Sequence, residues 1–145
     1  MKVSYLFFLL FICYSVVIQS ASLYIDQSSL PKKIETFLDQ HFYKYDIKEL
    51  KYDSKDGKCK VKYTNGIKIE FDNNAEWKEI ESDYVPLPKS IIDILPRTTI
   101  DFIAKKYPRR AVVKMKRKSG EYKIKLEGSL ELVFDSKGRL VEVDD

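Results

Sequence analysis

The chain has 145 residues, a formal net charge of +4 and an apolar share of 44%. That length fits one compact domain or two very small ones, and the apolar share excludes an intrinsically disordered chain. The weak positive charge lacks the clustered basic excess of a nucleic-acid-binding protein, so that class is excluded as well.

The chain begins with a predicted export signal. A single lysine, Lys2, precedes an apolar run over residues 3–18, and small and polar residues follow it. The run is too short to cross a bilayer comfortably and ends in a Ser-Ala-Ser sequence, which predicts a signal peptide over residues 1–21, cleaved after Ala21. The alternative is an uncleaved membrane anchor. Cys13 follows a large apolar residue, which argues against a lipoprotein signal.

Cleavage would change the charge and the cysteine content only slightly. It removes one basic residue and no acidic one, which leaves 25 basic and 22 acidic residues and a net charge of +3. Cys59 would be the one cysteine left, so no internal disulfide can form, and its thiol is either buried or paired with another molecule. Residues 22–28 are predicted to be a short linker. We expect the mature chain to stay out of the membrane and to bind no nucleic acid.

The remaining sequence consists of two similar halves. "GKCKVKYTNGIKIEFDNNAEW", which starts at Gly57, matches "GEYKIKLEGSLELVFDSKGRL", which starts at Gly120, at an offset of 63 residues. "LPKKIETFLDQHF" matches "LPRTTIDFIAKKY" at an offset of 65 residues. These matches predict an internal duplication, with repeat 1 over residues 29–82 and repeat 2 over residues 83–145.

Each repeat begins with a predicted helix. Pro31 and Pro96 suit the first helical turn, where a missing N–H costs nothing. Apolar residues at helical spacing then form one stripe along each helix. The stripes are Ile34, Phe37, Leu38 and Phe42 in repeat 1, and Phe102, Ile103 and Tyr107 in repeat 2. Pro108 ends the second helix, and "LPKSIIDIL" before it predicts an additional short helix.

A hairpin follows in each repeat, and residue alternation predicts its pairing. In repeat 1 the inward residues are Cys59, Val61 and Tyr63 on one strand and Ile67, Ile69 and Phe71 on the next. Because directly opposite residues point to the same side of a sheet, both sets reach one core only if Tyr63 lies opposite Ile67. The loop then has three residues, 64–66, and Gly66 adopts a left-handed conformation. Cys59 is predicted to be a small buried side chain.

The second hairpin obeys the same rule. Leu126 is expected opposite Leu130, and Tyr122 opposite Phe134, but the glycine of this loop has moved by one position. One further strand precedes and one follows each hairpin. These strands carry Leu50 and Tyr52, Trp77 to Ile80, Val113 and Met115, and Leu140 to Val143. The sequence therefore predicts an α+β fold of two tandem repeats, each with a helix packed on a four-stranded antiparallel meander that leaves one face open.

The same alternation places lysines on the open face. Lys58 is expected beside Asp72 and Lys60 beside Glu70. Lys62 faces Lys68, which leaves both of these lysines without a counter-charge, so the face should be positive on balance. The candidate partner-binding residues are Lys58, Lys60, Lys62, Lys68, Lys114, Lys116, Lys123 and Lys125. Such a face could dock an acidic protein. The alternative is a solvated surface whose lysines only keep the sheet from pairing with other strands.

The sequence contains no recognisable catalytic or metal-binding motif. Its one histidine, His41, lies at the edge of a helical stripe, where a boundary side chain is expected. One histidine and one mature cysteine cannot form a zinc site of the usual kind. Gly-x-Ser-x-Gly, His-Glu-x-x-His and phosphate-loop patterns do not occur. We therefore predict no enzyme, no cofactor and no metal site.

The tandem Leu-Pro helices and "YKIKLEGSLELVFDSKG", from Tyr122 to Gly138, resemble the β-lactamase-inhibitor-like, PepSY-like domains of exported bacterial proteins. The resemblance covers both repeats, although repeat 1 has Cys59 in place of an aromatic residue and Asn74 in place of the late glycine. It implies an exported, non-enzymatic domain, periplasmic or secreted. In the inhibitors with this fold, two such repeats present a concave sheet that grips another protein. The alternative is a passive envelope protein with no specific target.

Overall fold

A computed structural model of the protein describes residues 29–144. The predicted signal peptide over residues 1–21, its cleavage after Ala21 and the linker over residues 22–28 lie outside the described residues. Across residues 29–144, no helix is long and apolar enough to cross a membrane.

The described chain forms helices and strands in the predicted order. The helices are α1 (Lys32–Phe42), α2 (Lys89–Ile92) and α3 (Arg97–Lys106). The strands are β1 (Ile47–Asp53), β2 (Lys58–Tyr63), β3 (Ile67–Phe71), β4 (Trp77–Ser82), β5 (Val112–Lys118), β6 (Glu121–Leu126), β7 (Glu131–Phe134) and β8 (Leu140–Asp144). The additional short helix predicted before α3 is α2.

The eight strands form one antiparallel sheet in which spatial order equals chain order. Each repeat contributes four consecutive strands, and β4 pairs with β5 to join the two meanders. The predicted α+β architecture with one open sheet face is confirmed, and the two repeats share a single continuous sheet.

The helices begin one residue later than the sequence predicted. Pro31 and Pro96 are the N-cap residues of α1 and α3, with φ −52° and ψ near 135°, rather than members of the first turn. The carbonyl oxygen of Pro31 accepts hydrogen bonds from the backbone N–H groups of Ile34 and Glu35 at 2.9 and 3.1 Å. An N-cap carbonyl already takes part in the helix while the residue itself stays extended, so proline fits this position equally well.

The core lies between the helices and one face of the sheet. The predicted stripe of α1 supplies Ile34, Leu38 and Phe42 as buried side chains, and Phe37 packs at its edge. Cys59 is buried on the same side of the sheet, as predicted.

The predicted register of the first hairpin is confirmed. Cys59 lies opposite Phe71 and Val61 opposite Ile69, and Gly66 has φ +89°.

In the second hairpin, Tyr122 lies opposite Phe134, as predicted. The backbone N–H of Leu126 donates to the carbonyl oxygen of Leu130 at 2.8 Å. Gly128 and Ser129 both have positive φ there. Ser129, which is equivalent to Gly66, thus keeps the left-handed conformation without being glycine.

A bulge at the start of β5 changes which valine enters the core. The sequence predicted that Val113 points inward with Met115, but the buried residue is Val112, which pairs with Leu126. The register shifts between Val112 and Lys114, so Val113 is the extra residue and is only half-buried. A bulge adds one residue and breaks strict alternation.

The connection after the hairpin differs between the repeats at one backbone position. Gly138 has φ +78°, and its equivalent at the 63-residue offset is Ala75, with φ +57°. The sequence comparison had placed Asn74 there, which is wrong by one residue. A Cβ added to Gly138 would lie 2.7 Å from Cβ of Pro96 and 2.8 Å from Oγ1 of Thr99. Glycine therefore allows this turn to approach the start of α3 closely.

We predict that Gly138→Ala lowers the free energy of unfolding by about 1–3 kcal/mol, because the new methyl group is strained at positive φ and collides with Pro96. Ala75→Gly is the matched control. It should change stability by less than about 1 kcal/mol, because relief of left-handed strain offsets the greater backbone entropy of glycine. Urea unfolding of both variants measures the difference, and equal effects would contradict this account.

Candidate functional site

The open face of the sheet is almost entirely charged. The outward positions of the strand pairs hold ten lysines, nine acidic residues and one apolar residue, Val133. The lysines are Lys51, Lys58, Lys60, Lys62, Lys68, Lys114, Lys116, Lys118, Lys123 and Lys125. The acidic residues are Glu49, Asp53, Glu70, Glu79, Glu81, Glu121, Glu131, Glu142 and Asp144. The face is thus close to neutral, whereas the sequence predicted that it is positive on balance.

The flanking strands supply counter-charges that hairpin pairing alone did not reveal. Lys62 and Lys68 do lie opposite each other. However, Nζ of Lys62 lies 2.7 Å from Oε2 of Glu49 on β1, and Nζ of Lys68 lies 2.7 Å from Oδ2 of Asp83 after β4. The prediction that both lysines lack a counter-charge is therefore wrong. Hydrogen bonds from Lys51 and Lys62 lower the pKa of Glu49 to about 2.

Two other lysines of repeat 1 also form ion pairs. Lys60 contacts Glu70 at 2.6 Å, as predicted. Lys58 contacts Asp56 at 3.1 Å rather than Asp72. Oδ1 of Asp72 instead accepts the backbone N–H groups of Asn74 and Glu76, which shapes the turn after β3.

Lysines also pair with lysines on the strands that follow the junction between the repeats. Lys114 on β5 lies opposite Lys125 on β6, and Lys116 lies opposite Lys123. We call these four residues the lysine quartet. Like charges directly opposite each other destabilise a sheet by a few tenths of a kcal/mol, so the quartet is an electrostatic cost that the fold retains.

Acidic residues on β4 offset part of that cost across the repeat junction. Nζ of Lys114 lies 2.6 Å from Glu79 and 2.9 Å from Glu81, and Nζ of Lys116 lies 3.2 Å from Glu79. Burial by itself would raise the pKa of Glu79, but hydrogen bonds from the two lysines outweigh it and lower the pKa. Burial also opposes the charge on Lys114, yet hydrogen bonds to Glu79 and Glu81 raise its pKa.

The other side of the quartet is less neutralised. Lys125 lies opposite Glu131, but the ion pair to that carboxylate comes from Lys123, which reaches it diagonally. The hydrogen bond from Lys123 lowers the pKa of Glu131. Of the eight candidate lysines, Lys125 alone makes no ion pair within 4.0 Å in the described part of the chain.

Two titratable side chains outside this face, those of Cys59 and His41, have pKa values shifted by burial. Burial raises the pKa of the Cys59 thiol to about 11, so it is neutral at ordinary pH. His41 packs against Phe37 with ring centroids 4.8 Å apart, and burial lowers its pKa. Across residues 29–144, no group of three or more His, Cys, Asp or Glu side chains could hold a metal ion.

The sequence reasoning missed the acidic half of the face. Glu79 and Glu81 alternate with buried Ile80 in "WKEIES", so the signal for an outward acidic strand was present. Their role as partners of Lys114 and Lys116 depends on the β4–β5 pairing, which no hairpin signal predicts.

Comparison with family models gives one match, in two segments. The family described as "Putative beta-lactamase-inhibitor-like, PepSY-like" matches residues 16–62 and residues 57–142. A comparison with curated proteins gave no match.

The fold is similar to solved structures from Bacteroides. One, described as a "putative periplasmic protein" of the DUF2874 family from Bacteroides vulgatus, is 28% identical, with a TM-score of 0.72 and coverage of 83% of this chain and 94% of that one. Another, described as a "putative calcium-regulated periplasmic protein" from Bacteroides thetaiotaomicron, is 28% identical with the same coverage and a TM-score of 0.73.

We predict that stability falls between pH 7.5 and pH 5.5 because of His41. Its folded pKa lies below the unfolded value of about 6.5, so the unfolded chain takes up the proton first as the pH falls. Urea midpoints at the two pH values should differ for the wild type and differ less for His41→Gln, which cannot titrate. The same pH dependence in both proteins would contradict this role.

We predict that Lys114→Met lowers the free energy of unfolding by about 1–3 kcal/mol, because it leaves the partly buried carboxylate of Glu79 with one fewer hydrogen-bond donor. Lys125→Met is the matched control on the same face. It removes a lysine that makes no ion pair within 4.0 Å among residues 29–144 and should change stability by less than about 0.5 kcal/mol. Urea unfolding compares the two variants, and an equal or larger loss in Lys125→Met would contradict the assignment.

Proposed function

Because the chain belongs to the PepSY-like, beta-lactamase-inhibitor-like family, we propose that it is an exported, non-enzymatic module that binds another protein. The open face of the sheet is the docking surface, and the partner presents an acidic patch. Structures of similar fold from Bacteroides that are described as periplasmic support the exported location.

The lysine quartet carries this proposal. It places two like-charge pairs side by side on β5 and β6, next to the junction between the repeats, and Lys125 has no carboxylate of its own within 4.0 Å among the described residues. An acidic partner would relieve that repulsion on binding, and this relief would stabilise the complex relative to the free protein. Positive potential at this spot would also steer the partner during its approach.

The other four candidate lysines form the border of the proposed site. Lys58, Lys60, Lys62 and Lys68 are each held by a carboxylate of this chain. A partner carboxylate must compete with those internal pairs, so each of these lysines contributes less to affinity than Lys125, which makes no ion pair within 4.0 Å among residues 29–144. If the partner is an enzyme whose active-site rim is acidic, docking on this face would inhibit it.

The ion pairs also favour a second candidate function, a passive envelope protein. Seven of the eight candidate lysines are neutralised by carboxylates of the same chain. Alternating charges keep a sheet face soluble and discourage pairing with foreign strands without any partner. The docking function predicts that reversal of charge on this face abolishes binding of a partner. The passive function predicts no binding that depends on this face.

We predict that Lys123→Glu combined with Lys125→Glu abolishes capture of the partner from envelope and culture fractions. The matched control is Lys105→Glu with Lys106→Glu, which makes the same charge change on the exposed surface of α3. A third variant, Lys123→Gln with Lys125→Gln, removes the charge without adding repulsion. Circular dichroism and urea unfolding establish that each bait is folded.

A protein held by the wild type and the α3 control, but lost with Lys123→Glu/Lys125→Glu and weakened with the glutamine variant, would support the docking face. Its retention should also fall as salt increases. Capture of the same proteins by all baits, or of none by the wild type, would contradict the docking function and favour the passive one.

A further inference from the structure

Strand β8 forms one edge of the sheet and is unusually exposed for its composition. It pairs with β7 on one side, and among residues 29–144 no strand pairs with its other side. Leu140 and Val143 are 38% and 47% exposed. Trp77 and Ile80, their equivalents on β4, are only 8% and 0% exposed. Within residues 29–144, repeat 2 thus has no counterpart of the strand that covers β4 in repeat 1.

The cover of repeat 1 is strand β5. Ile80 lies opposite Met115, and both side chains are fully buried. On the open face, Lys116 lies opposite Glu79 and Lys114 opposite Glu81, with ion pairs between the two strands. The backbone, the apolar side chain and the two acidic side chains at the β4 edge therefore all find partners on a strand that alternates lysine with apolar residues.

β8 keeps the features of β4 that β5 recognises. At the 63-residue offset, Glu142 corresponds to Glu79, Val143 to Ile80 and Asp144 to Glu81. Glu142 and Asp144 are exposed and make no ion pair within 4.0 Å in the described part of the chain. The edge thus presents two outward acids around an exposed apolar side chain, together with unpaired backbone groups.

We propose that the free edge of β8 binds an extended segment of another protein that alternates lysine with apolar residues, as β5 does. The segment would add a ninth, antiparallel strand to the sheet. Backbone hydrogen bonds would supply affinity, and the two lysines facing Glu142 and Asp144 would supply specificity. This site lies at the edge of the sheet, so it is independent of the acidic partner proposed for the open face.

A second copy of this chain fits the β8 edge less well. Its β5 is enclosed between β4 and β6 and cannot pair again. Its free edge is β1, which aligns with β5 in the duplicated repeat. Lys51 then takes the place of Lys116 and would face Glu142, while Glu49 takes the place of Lys114 and would face Asp144. One repulsive and one attractive contact replace two attractive ones, so β1 opposes head-to-tail association of copies.

The test uses β5 itself as the probe. A peptide with the sequence of residues 112–118, VVKMKRK, is titrated into the purified protein beside a control peptide, VVEMERK, in which both facing lysines are glutamate. Calorimetry should give an affinity about tenfold higher for VVKMKRK. Amide chemical shifts in the ¹H–¹⁵N spectrum should change along β7 and β8.

A charge swap in the protein makes the test specific. Glu142→Lys with Asp144→Lys should invert the preference, so that VVEMERK binds about tenfold more tightly than VVKMKRK. The matched control, Asp93→Lys with Asp101→Lys, changes the charge equally on the helix layer and should keep the wild-type preference.

Equal binding of the two peptides, no binding of either, or shifts confined to other strands would overturn the β8 site. Light scattering tests whether a second copy of this chain occupies the edge instead. If the protein associates with itself and Glu142→Lys/Asp144→Lys abolishes that association, a second copy rather than a lysine-rich segment occupies the edge. None of these outcomes affects the docking test of the open face.

Discussion

The pairing of β4 with β5 is the interaction on which the rest of the structure depends. It places Ile80 against Met115 at the centre of the sheet, where neither side chain is exposed. Each repeat alone has about sixty residues, a size at which one small core gives marginal stability. Joining the two meanders removes two free edges and extends the core under both helices. The ion pair between Glu79 and Lys114 then places over this junction the least exposed carboxylate among the ion-paired residues of the open face.

One-sided coverage by helices explains the chemistry of the other face. With apolar residues directed towards α1 and α3, every alternate strand position must be compatible with water. Lysine and acidic residues occupy those positions, and the two signs are concentrated on different strands. The outward residues of β2 and β5 are basic, and those of β4 are acidic. Most of the resulting ion pairs are surface pairs worth little to stability. Their larger effect is to neutralise seven of the eight candidate lysines, which leaves Lys125, where β5 meets β6, without an ion pair within 4.0 Å among residues 29–144.

Much of this arrangement could be predicted because strand alternation and internal repetition are local signals. The alternation of inward and outward residues along each strand was sufficient to predict the register of both hairpins. It also predicted the inward position of Cys59 and the outward position of the lysines. It failed where an extra residue breaks alternation, as at Val113 in the β5 bulge. It also missed the partners of Lys62 and Lys68, because Glu49 and Asp83 come from outside the hairpin. Counter-charges depend on which strands become neighbours, and that is decided by the whole sheet.

The strand order also has a consequence for how the chain reaches this fold. Each strand pairs with the strands immediately before and after it in the chain, so no strand needs a partner from a distant part of the sequence. Such topologies have low contact order and close their loops at small entropic cost. A chain that emerges from its N-terminus, during synthesis or through a membrane channel, can therefore add strands to a growing sheet in the order in which they appear. At each step the exposed edge is the newest strand, and the next one to emerge covers it.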